Sequence, residues 1–322
     1  MSDGDDVPSG EFADIARLYR PLTRGAPGAL ALLDDAAVLP ARPGFDLVLT
    51  TDTLVEGVHF LPDDPLDTVA RKLLRVNLSD LAAKGARPFG YLLTTAWSPR
   101  CDEAAREAFA RGLAADGEAF DLDLLGGDTV STPGPLSVGA ALLGWVPAGR
   151  MVRRSGASAG DRLLVSGQVG KGWVGLQARR GALADPDGAL ARLYRLPEPR
   201  LVLADALLAH ASAAADVSDG LIADAGHLAT ASGLGLEIDL DRAPIHPAAA
   251  TDAASRLAAA AGGDDYEIVC AAPPVSAAEL IASAAAVGVT LTDIGVFSAG
   301  RGVRVTLGGE PVALERAGWS HF

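Results

Sequence analysis

The sequence predicts a two-domain protein in which each half is of the α/β or α+β class. Short apolar runs with strand character alternate with longer segments of helical spacing in both halves of the chain. Residues 146–161, rich in Pro, Gly, Ser and Arg, separate the halves, and 322 residues suffice for two domains of ordinary size. We therefore predict an N-terminal domain over 11–148 and a C-terminal domain over 149–322, after a disordered tail over 1–10.

The first half contains three predicted helices and five predicted strands. Apolar residues at helical spacing indicate the first helix, and Asp67 can N-cap a second helix that Gly85 and Pro88 end. Helices are predicted over 11–19, 67–84 and 102–120. Strands are predicted to end at Asp34-Asp35 and at Asp52, and to cover 91–97, 122–125 and 136–146, with the 122–125 strand breaking at Gly126-Gly127-Asp128.

The second half continues the interleaving of strands and helices. Its strands are predicted over 162–166, 213–217, 234–240, 266–271, 291–297 and 303–307. A helical segment punctuated by Pro is predicted over 181–199, and a helix that ends near Ser232 follows Ser218-Asp219-Gly220.

Composition and charge exclude several classes of protein. The net charge of −14 argues against a nucleic-acid or anionic-membrane surface. No apolar run reaches the roughly 20 residues that span a bilayer, and the acidic start of the chain does not resemble a secretory signal. The two cysteines, Cys101 and Cys270, favour a reduced cytoplasm and no disulfide framework.

The most informative segment is Thr-Thr-Asp-Thr-Leu-Val-Glu-Gly-Val-His-Phe, residues 50–60. The preceding apolar run, Leu47-Val48-Leu49, is interpreted as a buried strand that ends at Asp52. Chemistry in α/β proteins concentrates where strands end and loops begin. This segment is therefore predicted to reach a functional site.

Aspartates recur where apolar runs stop. Carboxylates gathered without matching Lys or Arg repel one another unless a hard cation joins them. Asp80 adds to the pattern from the helix over 67–84, on the face it shares with Asn77. The pattern predicts a phosphate site with several Mg²⁺ ions; its aspartates are Asp35, Asp52, Asp80, Asp128, Asp216 and Asp219.

Glycines accompany three of the acidic motifs. Paired glycines in Gly126-Gly127-Asp128-Thr129 allow close approach of a phosphate, and Asp216-Val217-Ser218-Asp219-Gly220 opens a helix whose N-terminus suits an anion. Gly262-Gly263-Asp264-Asp265-Tyr266-Glu267 again places acids at a strand start. By contrast, Gly167-Gln168-Val169-Gly170-Lys171-Gly172 fails the spacing of a Walker A motif and is interpreted as a flexible turn.

Two further groups are candidates for ligand contact. His59 follows the polar segment that begins at Thr50, and a core or surface histidine is its alternative interpretation. Arg153-Arg154 is a basic pair at the domain crossing of an acidic chain. A nucleotide phosphate is its functional interpretation, and a surface salt bridge the structural one.

Together these motifs resemble the thiamine-monophosphate kinase family, within the superfamily of aminoimidazole ribonucleotide synthetase. Residues 50–60 and the closing Gly318-Trp319-Ser320-His321-Phe322 are the more specific pieces, whereas several of the others are generic to the superfamily. The others are Asp34-Asp35-Ala36-Ala37-Val38, residues 77–83, Gly126-Gly127-Asp128-Thr129, Arg154-Ser155-Gly156-Ala157, Asp216-Val217-Ser218-Asp219-Gly220-Leu221 and residues 262–267.

The resemblance implies a two-domain fold of mixed sheets covered by helices. It also implies transfer of the ATP γ-phosphate to thiamine monophosphate, with direct in-line displacement assisted by several Mg²⁺ ions. A homodimer is implied, formed through the N-terminal domains. Thiamine monophosphate and ATP are then the expected partners, without nucleic acid or membrane.

The same resemblance assigns roles to individual residues. Those implied to hold Mg²⁺ are Asp35, Thr51, Asp52, Asp80, Asp128, Asp216 and Asp219. Those implied to contact the nucleotide are Thr50, Gly127, Asp128, Arg154 and Ser218. The substrate-contacting positions are His59, Glu267 and Trp319, since an aromatic ring can stack on a heteroaromatic cation. Asp52, Asp128 and Asp219 are expected to matter most for catalysis.

One departure from the family pattern stands before the double aspartate. This chain has Ala31-Leu32-Leu33 where the family usually has Gly-Ile-Gly. Glycine would permit unusual backbone angles or close phosphate approach there. The substitution leaves open a nucleotide-binding relative without catalysis.

Two further enzyme classes are compatible with these motifs. One is a magnesium-dependent phosphohydrolase, since carboxylate clusters also serve hydrolysis. The second is a sister enzyme of the same superfamily. Selenophosphate synthetase and the hydrogenase maturation protein would normally carry an N-terminal or a C-terminal Cys, which this chain lacks.

Overall fold

The computed structural model describes residues 11–313 and 317–319. The predicted tail over 1–10 lies outside this part of the chain. The described chain divides into two compact units, unit 1 with residues 11–77 and 88–145 and unit 2 with residues 78–87, 146–313 and 317–319. The chain passes from unit 1 to unit 2 after Trp145, close to the predicted boundary at 148/149. Among the described residues, no helix combines the length and apolar character needed to cross a membrane.

Unit 1 contains a four-stranded sheet with strand order β1-β4-β2-β3, in which β2 and β3 are parallel. Its strands are β1 (Phe45–Val55), β2 (Arg87–Trp97), β3 (Asp123–Ser131) and β4 (Ser137–Pro147). Its helical segments are α1 (Glu11–Asp14), a π-helical turn (Ile15–Tyr19), 3-10 turns (Arg20–Thr23 and Pro27–Leu32), α2 (Leu66–Ala83) and α3 (Glu103–Ala119). The last residues of α2, from Leu78, belong to unit 2.

Helix α3 packs on one face of this sheet and pairs with α2. Trp97 of β2 packs edge to face on Phe109 of α3, with ring centroids 5.4 Å apart. Arg71 and Arg75 of α2 bind the fully buried Asp116 of α3, which offsets the cost of burying that carboxylate. Asp102 caps α3 by accepting a bond from the Ala105 amide, as expected for an N-cap aspartate.

The other face of the unit 1 sheet carries exposed apolar side chains. Leu47 and Leu49 of β1 are 37% and 62% exposed, Leu92 of β2 is 41% exposed, and Val130 of β3 is 51% exposed. The predicted buried strand at 47–49 is therefore wrong for two of its three residues, because successive side chains of a strand point to opposite faces.

Unit 2 contains a seven-stranded mixed sheet with strand order β11-β10-β7-β9-β5-β8-β6. Strands β10 and β7 are parallel, whereas β5 pairs antiparallel with β8 and β9. The strands are β5 (Arg162–Ser166), β6 (Ala213–Asp216), β7 (Gly235–Asp239), β8 (Ile268–Ala272), β9 (Leu291–Ser298), β10 (Gly302–Leu307) and β11 (Glu310–Pro311). The helices are α4 (Lys171–Arg179), α5 (Ala189–Arg195), α6 (Ala204–His210), α7 (Leu221–Ser232), α8 (Ala253–Ala260) and α9 (Pro274–Ala286), with 3-10 turns at Leu201–Leu203 and Pro247–Ala249.

Both faces of this sheet are covered. Leu163 and Val165 of β5 enter one apolar core with α7, and Leu164 of the same strand enters a second core with α6 and α9. A central strand buried on both sides needs apolar residues at consecutive positions, which explains the continuous runs in the sequence. Ala82 and Ala83 belong to the second core, so the end of α2 is anchored in unit 2.

The prediction of mixed sheets covered by helices is confirmed, but several elements differ from the expectations. No strand ends at Asp34-Asp35; a 3-10 turn and a bend stand there instead. The helix predicted over 181–199 is restricted to α5, and α4, α6, α8 and α9 were not predicted. Alanine-rich helices without charged faces, such as α9, lack the amphipathic pattern on which sequence interpretation depends.

The turn before the double aspartate is left-handed. Leu30, Ala31 and Leu32 have φ angles of 49°, 54° and 54°, although none of them is glycine. This conformation costs an L-residue roughly 1–2 kcal/mol. The chain therefore keeps at Ala31 a backbone that suits glycine.

We expect Ala31→Gly to stabilise the protein by about 0.5–1 kcal/mol, because glycine removes the left-handed strain at that position. The thermal midpoint should rise by about 1–2 °C. Ala29→Gly is the control, since Ala29 is buried and has no positive φ. It should lower the midpoint through loss of its buried methyl group. Equal destabilisation by both substitutions would contradict the strain at Ala31.

Candidate functional site

A tight turn between β6 and α7 carries three of the predicted residues. Asp216 is the last residue of β6 and is buried, and Ser218 and Asp219 follow it. Gly220 has a φ of 124°, and a Cβ there would lie 2.8 Å from the backbone of Ala261. Only glycine fits this close approach, so the turn leads directly into α7.

Asp224 of α7 holds the same turn from inside. Its Oδ2 accepts hydrogen bonds from the Asp219 and Gly220 amides at 3.0 and 3.1 Å. Burial raises the pKa of Asp224 to about 7, and the charge of Asp219 acts in the same direction. Oxygen atoms of Asp219 and Asp224 and a ring nitrogen of His227 all lie within 4.8 Å of one another.

The glycine-rich acidic segment at 262–267 pairs with this turn through its backbone. The amides of Asp264 and Tyr266 donate to the carbonyls of Ser218 and Val217 at 2.9 and 2.8 Å. The Val217 amide donates in turn to the Glu267 carbonyl at 2.8 Å. Asp264 and Tyr266 have φ angles of 68° and 51°, so this segment is held in a left-handed conformation unusual for these residues.

Glu267 lies inside unit 2 and makes ion pairs with two cations. Its carboxylate is fully buried and accepts hydrogen bonds from Lys171, from Arg200 at 2.6 and 2.7 Å, and from the Ser166 hydroxyl at 2.5 Å. Arg200 and Lys171 hold the pKa of Glu267 below its usual range, against the effect of burial. Contact of this carboxylate with substrate stays a prediction.

The segment 167–172 is not a flexible turn throughout, contrary to the prediction. Gly170 precedes α4, whose first residue Lys171 makes the buried ion pair. The amides of Gly170 and Gly172 donate to the buried carboxylate of Asp265 at 2.7 and 3.0 Å. Burial nevertheless raises the pKa of Asp265 to about 7.

Trp319 lies beside the β6–α7 turn. Its amide donates to the Asp219 carbonyl at 2.9 Å, and its side chain is 56% exposed. Gly318 is also close to this turn, since a Cβ there would lie 2.7 Å from the Asp219 carbonyl oxygen. The structure therefore brings a predicted substrate residue next to a predicted metal ligand.

A cation that the sequence analysis missed lies among predicted residues of unit 2. Burial, followed by the charge of Arg154, lowers the pKa of Lys84 to about 8. The carboxylates of Asp80 and Asp216 raise the pKa of Lys84, so three charged groups of the predicted site act on it together with burial. Its position one helical turn after Asp80 was the available signal in the sequence.

In unit 1, strand β1 continues through the predicted Thr50-Thr51-Asp52 group. The interpretation of Asp52 as the end of a strand is therefore wrong, because the strand extends to Val55. Asp52 shares the alternation of the buried Val48 and Leu54, whereas Thr51 is exposed on the opposite face and donates to the Ala140 carbonyl at 3.1 Å. The two neighbouring side chains therefore leave opposite sides of β1.

Strand β3 continues through the predicted Gly126-Gly127-Asp128 break, so that expectation is also wrong. Gly127 lies opposite Leu93 of β2, and a Cβ at Gly127 would overlap the Leu93 carbonyl oxygen. The pairing of β3 with β2 thus requires glycine at this position, in addition to any close approach of a ligand.

A cleft of about 1420 Å³ opens beside these strands in unit 1. Asp34, Asp35 and Asp128 line it, together with Gly126 and Gly127. A volume of this order accommodates a nucleotide-sized ligand. Asp35 and Asp128, both predicted to bind Mg²⁺, therefore line the same cleft as the glycines of β3.

His59 lies in the turn after β1. Its Nδ1 accepts from the Val55 amide at 3.0 Å, and its carbonyl accepts from the buried Lys72 ammonium at 3.0 Å. The accepting Nδ1 requires the neutral tautomer with hydrogen on Nε2. The Val55 amide thus orients the ring, and the Lys72 ammonium holds the backbone of His59.

The ligand atoms of the predicted metal residues, in unit 1 and in unit 2, suit a hard cation. The predicted metal ligands offer carboxylate and hydroxyl oxygens, the donors that Mg²⁺ prefers. The raised pKa of Asp224 beside Asp219 also reflects a carboxylate repulsion that a cation would relieve. Of the predicted aspartates, Asp216 ends a strand, whereas Asp52 and Asp128 lie within strands and Asp80 within a helix.

Comparisons with known protein families agree with this architecture. Residues 33–146 match the family model "AIR synthase related protein, N-terminal domain", and residues 158–308 match "AIR synthase related protein, C-terminal domain". The fold and its carboxylate groups thus define a protein of the AIR synthase related class.

Similarity to individual relatives indicates the family within this class. The Thiamine-monophosphate kinase of Caulobacter vibrioides is 56% identical over 98% of this chain and 92% of its own length. The crystal structure of Thiamine-monophosphate kinase from Stenotrophomonas maltophilia K279a is 38% identical, covers 94% of this chain and 98% of its own, and has a TM-score of 0.83. A structure described as AaThiL complexed with AMPPCP and TMP is 30% identical, covers 90% and 91%, and has a TM-score of 0.77. The chain belongs to the thiamine-monophosphate kinase family.

We expect Asp265 to make stability depend on pH. The unfolded chain releases this proton near pH 4, whereas the folded protein keeps it until about pH 7. Between these values the folded state holds more protons, so stability falls as pH rises. The thermal midpoint of wild type should therefore fall relative to Asp265→Asn from pH 4 to 7. The exposed Asp187→Asn serves as control and should follow wild type; a constant offset for Asp265→Asn would contradict the prediction.

Proposed function

We propose that this chain transfers the γ-phosphoryl group of ATP to thiamine monophosphate, giving thiamine diphosphate and ADP. The observation that carries this proposal is 56% identity over 98% of the chain with a protein named Thiamine-monophosphate kinase. The related structure with AMPPCP and TMP adds support, since it binds an ATP analogue and TMP in the same fold.

The chemistry of the predicted residues fits this reaction. The acceptor is a phosphate monoester, which is already anionic near neutral pH and needs no general base. The obstacle is repulsion between two anions, which bridging cations and in-line positioning reduce. We therefore expect this reaction to use many aspartates and to need no pair of a nucleophile and a histidine.

Unit 1 and unit 2 each carry residues proposed to bind the nucleotide or its cations. Bound Mg²⁺ would neutralise the phosphate charge as it develops on the transferring group. The proposed Mg²⁺ ligands are Asp35, Thr51, Asp52, Asp80, Asp128, Asp216 and Asp219, and the proposed ATP contacts are Thr50, Gly127, Asp128, Arg154 and Ser218.

The substrate side of the proposal uses His59, Glu267 and Trp319. The exposed indole of Trp319 suits stacking on a cationic heteroaromatic ring. His59 offers a ring whose tautomer is set by the Val55 amide. Glu267 is buried with Lys171 and Arg200, so its contribution includes orientation of the segment that precedes β8.

We further propose that the protein is a homodimer that acts in the cytoplasm. The exposed apolar side chains of the unit 1 sheet, Leu47, Leu49, Leu92 and Val130, offer a surface for a second copy. Cys101 and Cys270 carry free thiols, in keeping with a reducing compartment.

The reaction is tested with purified protein, ATP, Mg²⁺ and thiamine monophosphate, by chromatography of the thiamine species. Thiamine diphosphate and ADP should form in equal amounts, and a chelator should abolish both. Phosphate release without an acceptor would instead indicate a phosphohydrolase. ATP binding without turnover would indicate a sister enzyme or a non-catalytic relative.

Asp52→Asn and Asp128→Asn should each lower kcat by roughly 100-fold or more, because each removes a carboxylate proposed to hold the Mg²⁺ that offsets phosphate repulsion. The thermal midpoint should change little. Asp46→Asn, at an exposed position of β1, is the matched control and should retain activity. Near wild-type kcat in either variant at saturating ATP and Mg²⁺ would exclude the assigned role.

Leu49→Lys should shift the protein from dimer to monomer, because a buried unpaired ammonium is costly in an apolar interface. Light scattering during size exclusion measures the mass. Val275→Lys, at an 84% exposed apolar position of unit 2, should leave the dimer intact. A dimeric Leu49→Lys would place the interface elsewhere.

A further inference from the structure

The end of helix α2 is closed by a well-defined cap. Gly85 has a φ of 69°, its amide donates to the Ala82 carbonyl at 3.0 Å, and the Ala86 amide donates to the Leu81 carbonyl at 2.9 Å. This is the pattern of a Schellman motif, in which Lys84 is the capping residue. The backbone of Lys84 is therefore held in one place.

Lys84 joins two other segments from that position. Its ammonium donates to the Ala214 carbonyl at 2.7 Å, and its carbonyl accepts from the Val152 amide at 3.2 Å. The Ala214 amide donates to the Arg153 carbonyl at 2.9 Å, which links those two segments to each other. Three segments of unit 2 are thus connected in a closed ring of hydrogen bonds.

Each of the three segments carries a residue of the proposed site. Asp80 stands one turn before Lys84 on α2, Arg154 follows Arg153 directly, and Asp216 lies two residues beyond Ala214. The Lys84 ammonium also experiences the charges of all three of these side chains. The positions of two proposed Mg²⁺ ligands and one proposed phosphate ligand therefore depend on the same ring.

We propose that Lys84 is a positioning residue that sets the relative places of Asp80, Arg154 and Asp216 through its bond to the Ala214 carbonyl. This inference rests on the proposed function, because it concerns the metal ligands of that reaction. Nothing in the family resemblance assigned a role to Lys84.

Loss of the Lys84 charge and loss of its hydrogen bond to Ala214 would change the Mg²⁺ affinity in opposite directions. An ammonium near carboxylates opposes a second cation, so its removal alone would tighten Mg²⁺ binding. Loss of the bond to Ala214 would loosen the three segments and weaken Mg²⁺ binding. Groups that orient metal ligands typically change affinity or activity by about 10–100-fold.

The test is a titration of the full chain with Mg²⁺ in the presence of a non-hydrolysable ATP analogue. The thermal midpoint reports Mg²⁺ binding, and wild type is compared with Lys84→Met and Lys84→Arg. Lys84→Met should raise the half-saturating Mg²⁺ concentration by about tenfold or more. Lys84→Arg keeps a charged donor and should recover most of the affinity. In turnover assays, kcat at fixed Mg²⁺ should fall more than KM for thiamine monophosphate rises.

Arg87→Met is the control, since it removes an exposed ion pair with Asp205 near the same helix end. It should leave the Mg²⁺ titration unchanged. Tighter Mg²⁺ binding by Lys84→Met, or a lower thermal midpoint with an unchanged titration, would overturn the proposal. If wild type makes no thiamine diphosphate but Lys84→Met still weakens Mg²⁺ binding, the proposed function fails and the positioning role stands.

Discussion

The presence of a partner for every one of three buried carboxyl groups, Glu267, Asp265 and Asp224, is the constraint on which unit 2 depends. A carboxylate removed from water is costly unless a cation or several hydrogen-bond donors accompany it. Glu267 has Lys171 and Arg200, whereas Asp265 and Asp224 each accept two backbone amides. Loss of one partner of a buried ion pair costs roughly 3–5 kcal/mol, so these contacts restrain the surrounding backbone strongly.

Those restraints converge on one turn. The segment from Asp264 to Glu267 is anchored by its buried carboxylates, and its backbone bonds to Val217 and Ser218. The turn that carries Asp216 and Asp219 is thus held by groups that need not contact a ligand. A site for several cations requires such support, because its own carboxylates repel one another.

In unit 1, the alternation of side chains along β1 places polar residues on both faces of the sheet. Asp52 and Thr51 are neighbours in sequence but face opposite sides of the sheet. The face that carries Thr51 also carries the exposed Leu47 and Leu49, so polar and apolar groups share one surface. A surface of this kind can serve both a ligand and a second copy of the chain.

The sequence by itself determined the mixed α/β architecture, and it supplied the predicted division near residue 148 and the aspartates from which the site is proposed. These follow from local signals: apolar periodicity, glycine beside acid, and a break in composition. Only the tertiary structure decided that β1 and β3 run through Asp52 and Asp128, because strand length depends on pairing with distant strands. The same holds for Lys84, whose partner at Ala214 is remote in sequence, and for the left-handed turn at Ala31. Contacts between distant segments leave no periodic pattern in either segment alone, so their geometry appears only in the folded chain.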